Sequence, residues 1–335
     1  MFAVPNDSDG ELHVKSVAET RPTVYIDMDG DLRLRVADAD GDVQDYIVCS
    51  AAMRRASKVW KTMLFGGYEE SRPVGREWLV SLPEDKPEPI LVILNIIHGN
   101  FSLVPAKPSL AEMYEILEVT NKYDMSGVIR PWAANWMESI KETYMQVGAC
   151  LPELIFIAWE LGDDELFDAL TRRLVAACRR GEEGNLVGED GRNLAEVLIH
   201  PPHLYENIVA QRTQLIDSML NIYEARITSL LEGYPCSTPL DCDGMALGTL
   251  IKSVFNATGR LPPPRTEEVN ESVKEVSDFL IQGFNGMNGG CTQFDHRQLG
   301  LQDVAKILEI IEKNEGVVGP ESVEAMAIQR RKTGI

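Results

Sequence analysis

The chain has no uninterrupted apolar run approaching the roughly 20 residues that a helix needs to cross a bilayer. Its opening stretch Asn6-Asp7-Ser8-Asp9-Gly10-Glu11 lacks the apolar core of a secretory signal. Basic residues are in deficit, with 32 lysines and arginines against 52 aspartates and glutamates and a net charge of −20. That balance argues against nucleic acid as a partner, because phosphates are met by a bulk basic face, and equally against anionic membrane surfaces. Cysteine is sparse: six are scattered over 335 residues with no CxxC pair, which reads as reduced thiols, not as a secreted disulfide framework. An intracellular location is therefore expected, with cytoplasm and nucleus left open. Enzyme signatures are missing too, since there is no GxSxG elbow, no HExxH, no GxxxxGK[ST] and no GxGxxG joining a strand to a helix. No catalytic residue and no cofactor are expected.

What is present is ordinary globular material, 44% hydrophobic and long enough for two or more cores. The most informative stretch runs from Asp31 to Trp136. Leu32, Leu34 and Val36 alternate with Arg33 and Arg35, the pattern of a half-buried strand. Asp38-Ala39-Asp40-Gly41-Asp42 supplies a turn, and Tyr46-Ile47-Val48 the return strand. Ser50 is placed to cap a helix carrying Met53, Val59, Trp60, Met63 and Leu64, which Gly66-Gly67 ends before a third strand at Trp78-Leu79-Val80-Ser81-Leu82. The result is a compact α+β start.

In this order the hairpin, VCSAAMRRASKVWKTMLFGGYEES, WLVSLPED, ILNIIHGNF and NKYDMSGVIRPWAANWM resemble the BTB/POZ domain of filamentous-fungal proteins over about a third of the chain. The resemblance implies a small sheet enclosed by helices, a protein-binding domain that forms homodimers or other homo-oligomers, and partners such as cullin-type ubiquitin-ligase scaffolds. Better-studied animal members carry a histidine and a basic residue after the second strand, where this chain has Cys49 and Ser50. The charged dimer pocket that the basic residue builds with an aspartate at the position of Asp31 is therefore not carried over. Arg54 and Arg55, one turn further on, are candidates to substitute.

Beyond the third strand, Pro87 and Pro89 open an apolar helix that Gly99 ends, and Ser109-Leu110-Ala111-Glu112 has the form of a capping box. Ser126 is a candidate cap for a helix with Ile129, Trp132, Trp136 and Ile140 on one stripe. The two tryptophans serve either as partner anchors or, as their size favours, as core. A helix from Leu151 to Gly162 and another capped by Asp163 follow, and FIAWELGDDELFDALTRRLV resembles the helical extension behind the fungal BTB domain.

The span from Tyr205 to Glu232 holds no proline or glycine. One seam, Leu215, Met219 and Ile222, is broken by Arg212 and Arg226 as a coiled coil; a cleaner stripe of Ile216, Leu220, Tyr223, Ile227 and Leu230 favours packing on its own domain. Asp27-Met28-Asp29-Gly30-Asp31 and Asp38 to Asp42 superficially resemble calcium loops but put glycine fourth instead of sixth, so both read as turns. Cys236, Cys242, Cys291 and His296 are residues zinc accepts, without the tight pairing of a knuckle; a structural zinc stands as the alternative to ordinary thiols.

The expected layout is a flexible segment over 1–22, a BTB/POZ-like α+β domain over 23–140, a helical extension over 141–232, a small helical region over 233–312 and a flexible tail over 313–335. The expected function is non-catalytic protein binding as an oligomeric hub, with a substrate adaptor of a cullin-type ligase as the alternative. Asp31, Arg54, Arg55, Trp132 and Trp136 are the candidate interaction residues.

Overall fold

The computed structural model describes residues 21–38, 41–144, 150–233, 239–259, 265–287, 296–314 and 320–335. Over these the protein is mixed α+β and mostly helical, with thirteen α-helices, a four-stranded sheet and a two-stranded one. Two compact units divide it, Met1–Pro108 with Glu115–Ile129 and Ser109–Tyr114 with Arg130–Ile335.

The first unit holds β1 (Val24–Tyr25), β2 (Leu32–Ala37), β3 (Val43–Val48) and β4 (Leu79–Leu82) in the order β1-β3-β2-β4. The central hairpin β2–β3 is antiparallel with Leu34 opposite Tyr46, and the two edges join in parallel. Alternation does what it predicts: Leu32, Leu34, Val36, Tyr46 and Val48 are buried. On the other face Arg35 donates through Nε and Nη2 to the two oxygens of Asp45, each at 2.9 Å. This fork, with Arg33 beside it, holds the Asp45 carboxyl below the usual carboxylate range.

Both aspartate-rich stretches spend carboxylate oxygens on their own turns. Asp27 Oδ1 accepts the Asp29 amide and Asp38 Oδ1 accepts the Asp42 amide, each at 2.9 Å. Gly41 has φ +86°, whereas Gly30 is required by space, because a Cβ there would lie 2.7 Å from Ile47 Cγ2.

The single helix expected from Ser50 is two, α1 (Ser50–Ala56) and α2 (Lys58–Phe65). Ser57 breaks them with an extended backbone, and its Oγ both accepts the Trp60 amide at 3.1 Å and donates to the Tyr123 carbonyl at 2.5 Å. Trp60 is buried and stacks on Tyr123 with centroids 4.7 Å apart, which anchors α2 by one face. Ser50 does not act as the cap either. It is the first helical residue, and its amide and hydroxyl donate to the Asp31 carboxylate at 2.8 and 2.9 Å.

The apolar helix α3 (Pro87–His98) ends at Gly99 in a left-handed conformation, and α4 (Leu110–Lys122) follows the capping box of Ser109 and Glu112. Ser126 starts a 3₁₀ turn, Ser126–Ile129, not the next α-helix.

The second unit contains α5 (Arg130–Tyr144), α6 (Leu151–Leu161), α7 (Asp164–Ala177), β5 (Arg179–Arg180), β6 (Leu186–Val187), α8 (Leu194–Val197), α9 (Leu204–Glu232), α10 (Pro239–Thr258), α11 (Val273–Asn285), α12 (His296–Glu312) and α13 (Pro320–Thr333). As expected, α6 stops at the left-handed Gly162, and Asp163 caps α7 by accepting the Leu166 amide.

The long helix α9 packs on α7, α10, α11 and α12, burying most of both apolar stripes with Ile222 and Ile227 half-buried, so it is a helix of its own domain. Arg212 and Arg226 go inside with it. Arg212 Nη2 donates to the carbonyls of Val269 and Glu271 at 3.0 and 2.6 Å, and Arg226 Nε meets Asp303 Oδ2 at 2.5 Å. Residues that break a coiled-coil seam are here the polar ties of α9 to its neighbours.

The segment expected as a flexible tail contains α13, which packs on α6 and α5. Gln329 Nε2 donates to Glu160 Oε2 at 3.2 Å, Thr333 Oγ1 to the Leu161 carbonyl at 2.6 Å, and Arg130 Nη1 to the Arg331 carbonyl at 2.7 Å. Side-chain hydrogen bonds, with Met326 as its deeply buried apolar residue, replace the apolar stripe that periodicity looks for.

Candidate interaction surface

Anchoring α2 through Trp60 and Leu64 turns Val59 and Met63 the other way, since residues four apart share a face. The chain then leaves the helix through Gly66 and Gly67, the latter at φ +82°, and is pulled back along it. Ser71 Oγ accepts the Gly67 amide at 3.0 Å and donates to the Met63 carbonyl at 3.2 Å, while Trp78 Nε1 donates to the Glu70 carbonyl at 2.8 Å. These bonds bring Tyr68, 60% exposed, against the outer face of α2. An open groove of about 450 Å³ results, with Val59, Met63 and Tyr68 as its body and Lys58, Thr62 and Glu70 at its edges.

Arg54 belongs to the same surface. Its guanidinium sits 5.1 Å from the centre of the exposed Phe65 ring, which packs edge-on against Trp78. Arg55 is exposed at the end of α1.

A second apolar surface of this unit lies at the β1 edge. Tyr25, Met28, Phe101 and Leu103 are all exposed, Met28 at 81%, and Asn100 Nδ2 donates to the Ile26 carbonyl at 3.2 Å, which ties the segment after β1 to the one after α3. Several large apolar side chains exposed on neighbouring segments are the kind of surface that marks a contact site.

The remaining predicted residues lie elsewhere. Asp31 is occupied as the helper of α1, with Arg72 at 3.7 Å, and forms no ion pair with Arg54 or Arg55 among the described residues. Trp136 is 0% exposed and Trp132 half-buried, their ring centres 6.3 Å apart on α5. The core use of Trp136 is therefore realised, and its side chain offers nothing to a partner in this conformation.

Cys49 and His98 come together through the backbone. His98 Nε2 lies 3.0 Å from the Cys49 amide nitrogen, which donates to it, and Nδ1 is 2.8 Å from the Leu94 carbonyl. With Nε2 accepting and Nδ1–H donating, the ring serves the backbone of α1 and α3.

Of the zinc candidates, Cys236 and Cys291 fall outside the described residues. Cys242 is buried, and His296 is buried with Nε2 2.7 Å from Asp243 Oδ1. Among the described residues no group of three or more metal-ligating side chains gathers. No described helix is long and apolar enough to cross a membrane.

Sequence reasoning did not single out Val59, Met63, Phe65 and Tyr68, or Met28, Phe101 and Leu103, as surface. The signal existed for α2: an eight-residue helix with apolar pairs 59/63 and 60/64 has two apolar faces and can bury only one of them deeply. No protein-family model and no curated protein matches the chain.

Proposed function

We propose that this is a non-catalytic protein-interaction protein, built on a BTB/POZ-like sheet-containing unit, that self-associates through the β1-edge surface. The observation that supports the reading is the exposure of Tyr25, Met28, Phe101 and Leu103 on two segments that the Asn100 to Ile26 hydrogen bond joins. A surface of this kind suits a copy of itself, because an isologous contact places the same apolar side chains opposite one another. The short parallel edge β1, with its few open backbone groups, leaves side chains to supply the affinity.

Light scattering of the full chain tests this. A dimer that dissociates on the double substitution Met28→Asp and Leu103→Asp supports it, and a wild-type monomer at high micromolar concentration sinks it. Repeated co-purification of a cullin would replace the hub by a ligase adaptor.

A further inference from the structure

We infer that the groove on α2 is a docking site for an acidic, amphipathic segment of a second protein. The site is separate from the β1-edge surface, so the inference stands whether or not the chain self-associates.

Charge carries the argument. Residues 54–76 hold six lysines and arginines against two glutamates, a local balance of +4 in a chain of net charge −20. Arg54, Arg55, Lys58, Lys61 and Arg76 are all exposed, and none forms an ion pair with a carboxylate among the described residues. In a protein with 52 acidic residues, cations left without carboxylates on the segment that builds an apolar groove, with Lys58 on the groove itself, are arranged for something outside the chain. The groove supplies the other half of the recognition. Val59, Met63 and Tyr68 offer an apolar floor, Phe65 stands beside it under Arg54, and aromatic, methionine and arginine side chains are the types that dominate protein contacts.

The same charges select among occupants. A second copy bound isologously would set the cations of one groove against those of the other, and a heterologous self-contact through it would build rings or open chains. Nucleic acid and anionic membranes would meet the −20 of the whole chain along with the local +4. A short acidic segment with two or three large apolar side chains fits the groove and touches little else.

A display library of random 16-residue peptides, selected on the full chain at low salt, tests the inference. Enriched peptides should be rich in Asp and Glu with interspersed large apolar residues. Their binding should fall roughly tenfold or more in Lys58→Glu/Lys61→Glu, and also in Tyr68→Ala, and should weaken as salt rises. The two lysines are exposed, so the charge reversal leaves the fold intact, and circular dichroism checks that. No enrichment, enrichment of neutral or basic peptides, or equal binding by the Lys58→Glu/Lys61→Glu chain would overturn the proposal. So would preferential binding of a DNA duplex or of phosphatidylserine vesicles.

Discussion

In the helical unit, Arg226 lies buried with its Nε 2.5 Å from Asp303, and Arg212 donates to two backbone carbonyls. In the sheet-containing unit, Arg55, Lys58 and Lys61 stand exposed without an ion pair among the described residues. The same side-chain chemistry does opposite work in the two places. Burying a guanidinium costs several kcal/mol unless its hydrogen bonds are met, so a buried arginine reports a commitment of the fold. An exposed cation adds about 0–1 kcal/mol to stability, so folding alone gives little reason for a cluster of them, and the proposed docking of an acidic segment would supply one.

The largest loss should come from the buried pair. Asp303→Ala takes the carboxylate away from the buried Arg226, with Lys306 also losing its bond to Asp303 at 3.0 Å, and should destabilise the helical unit by about 3–5 kcal/mol in urea unfolding. A loss under about 1 kcal/mol would mean that the pair is not holding α9 to α12.

Arg212→Met should cost less, about 1–3 kcal/mol, since it leaves the Val269 and Glu271 carbonyls unpaired but also removes a buried charge. Burial already pushes the Arg212 guanidinium below its ordinary value, which is why part of the loss is returned.

Asp45→Asn lies between the two regimes, because Asp45 is mostly buried while its arginines are partly exposed. It should cost roughly 1 kcal/mol at neutral pH. The folded carboxyl is held below the 3.8 of the unfolded chain, chiefly by the Arg35 hydrogen bonds. Its stabilisation is present above that value and is lost as pH falls through the lower folded one. Wild type and Asp45→Asn should therefore differ in stability at pH 7 and converge in strong acid. At the far end, Lys58→Ala should change stability by under about 0.5 kcal/mol while still weakening acidic peptides.

Much of the sheet-containing unit is legible in the sequence because its signals are local. Alternation in Leu32 to Val36 sets the buried face, Gly41 the turn, and Gly99 the end of α3. Two misreadings there have one cause, a long-range side-chain bond that no local rule contains. Tyr123 draws Ser57 out of a continuous helix, and Asp31 takes over the capping expected of Ser50. Strand β1 has two residues, too few to alternate.

In the helical unit the apolar stripes of α9 are readable, but which face of a buried arginine finds a partner is decided by α12, some 70 residues on. The helix α13 escapes for the opposite reason, being docked by Gln329 and Thr333 with no stripe to see. For the interaction surfaces, composition points the wrong way. The net charge of −20 masks a local +4 that a count over residues 54–76 already shows, whereas the groove beside it exists only once Ser71 and Trp78 draw the loop back onto α2.

Pairing of the protein with itself through the β1 edge should be read in the molar mass of the full chain by light scattering across a dilution series. Wild type should give twice the chain mass and Met28→Asp/Leu103→Asp the single-chain mass. A wild-type protein that keeps the single-chain mass at every concentration would contradict it.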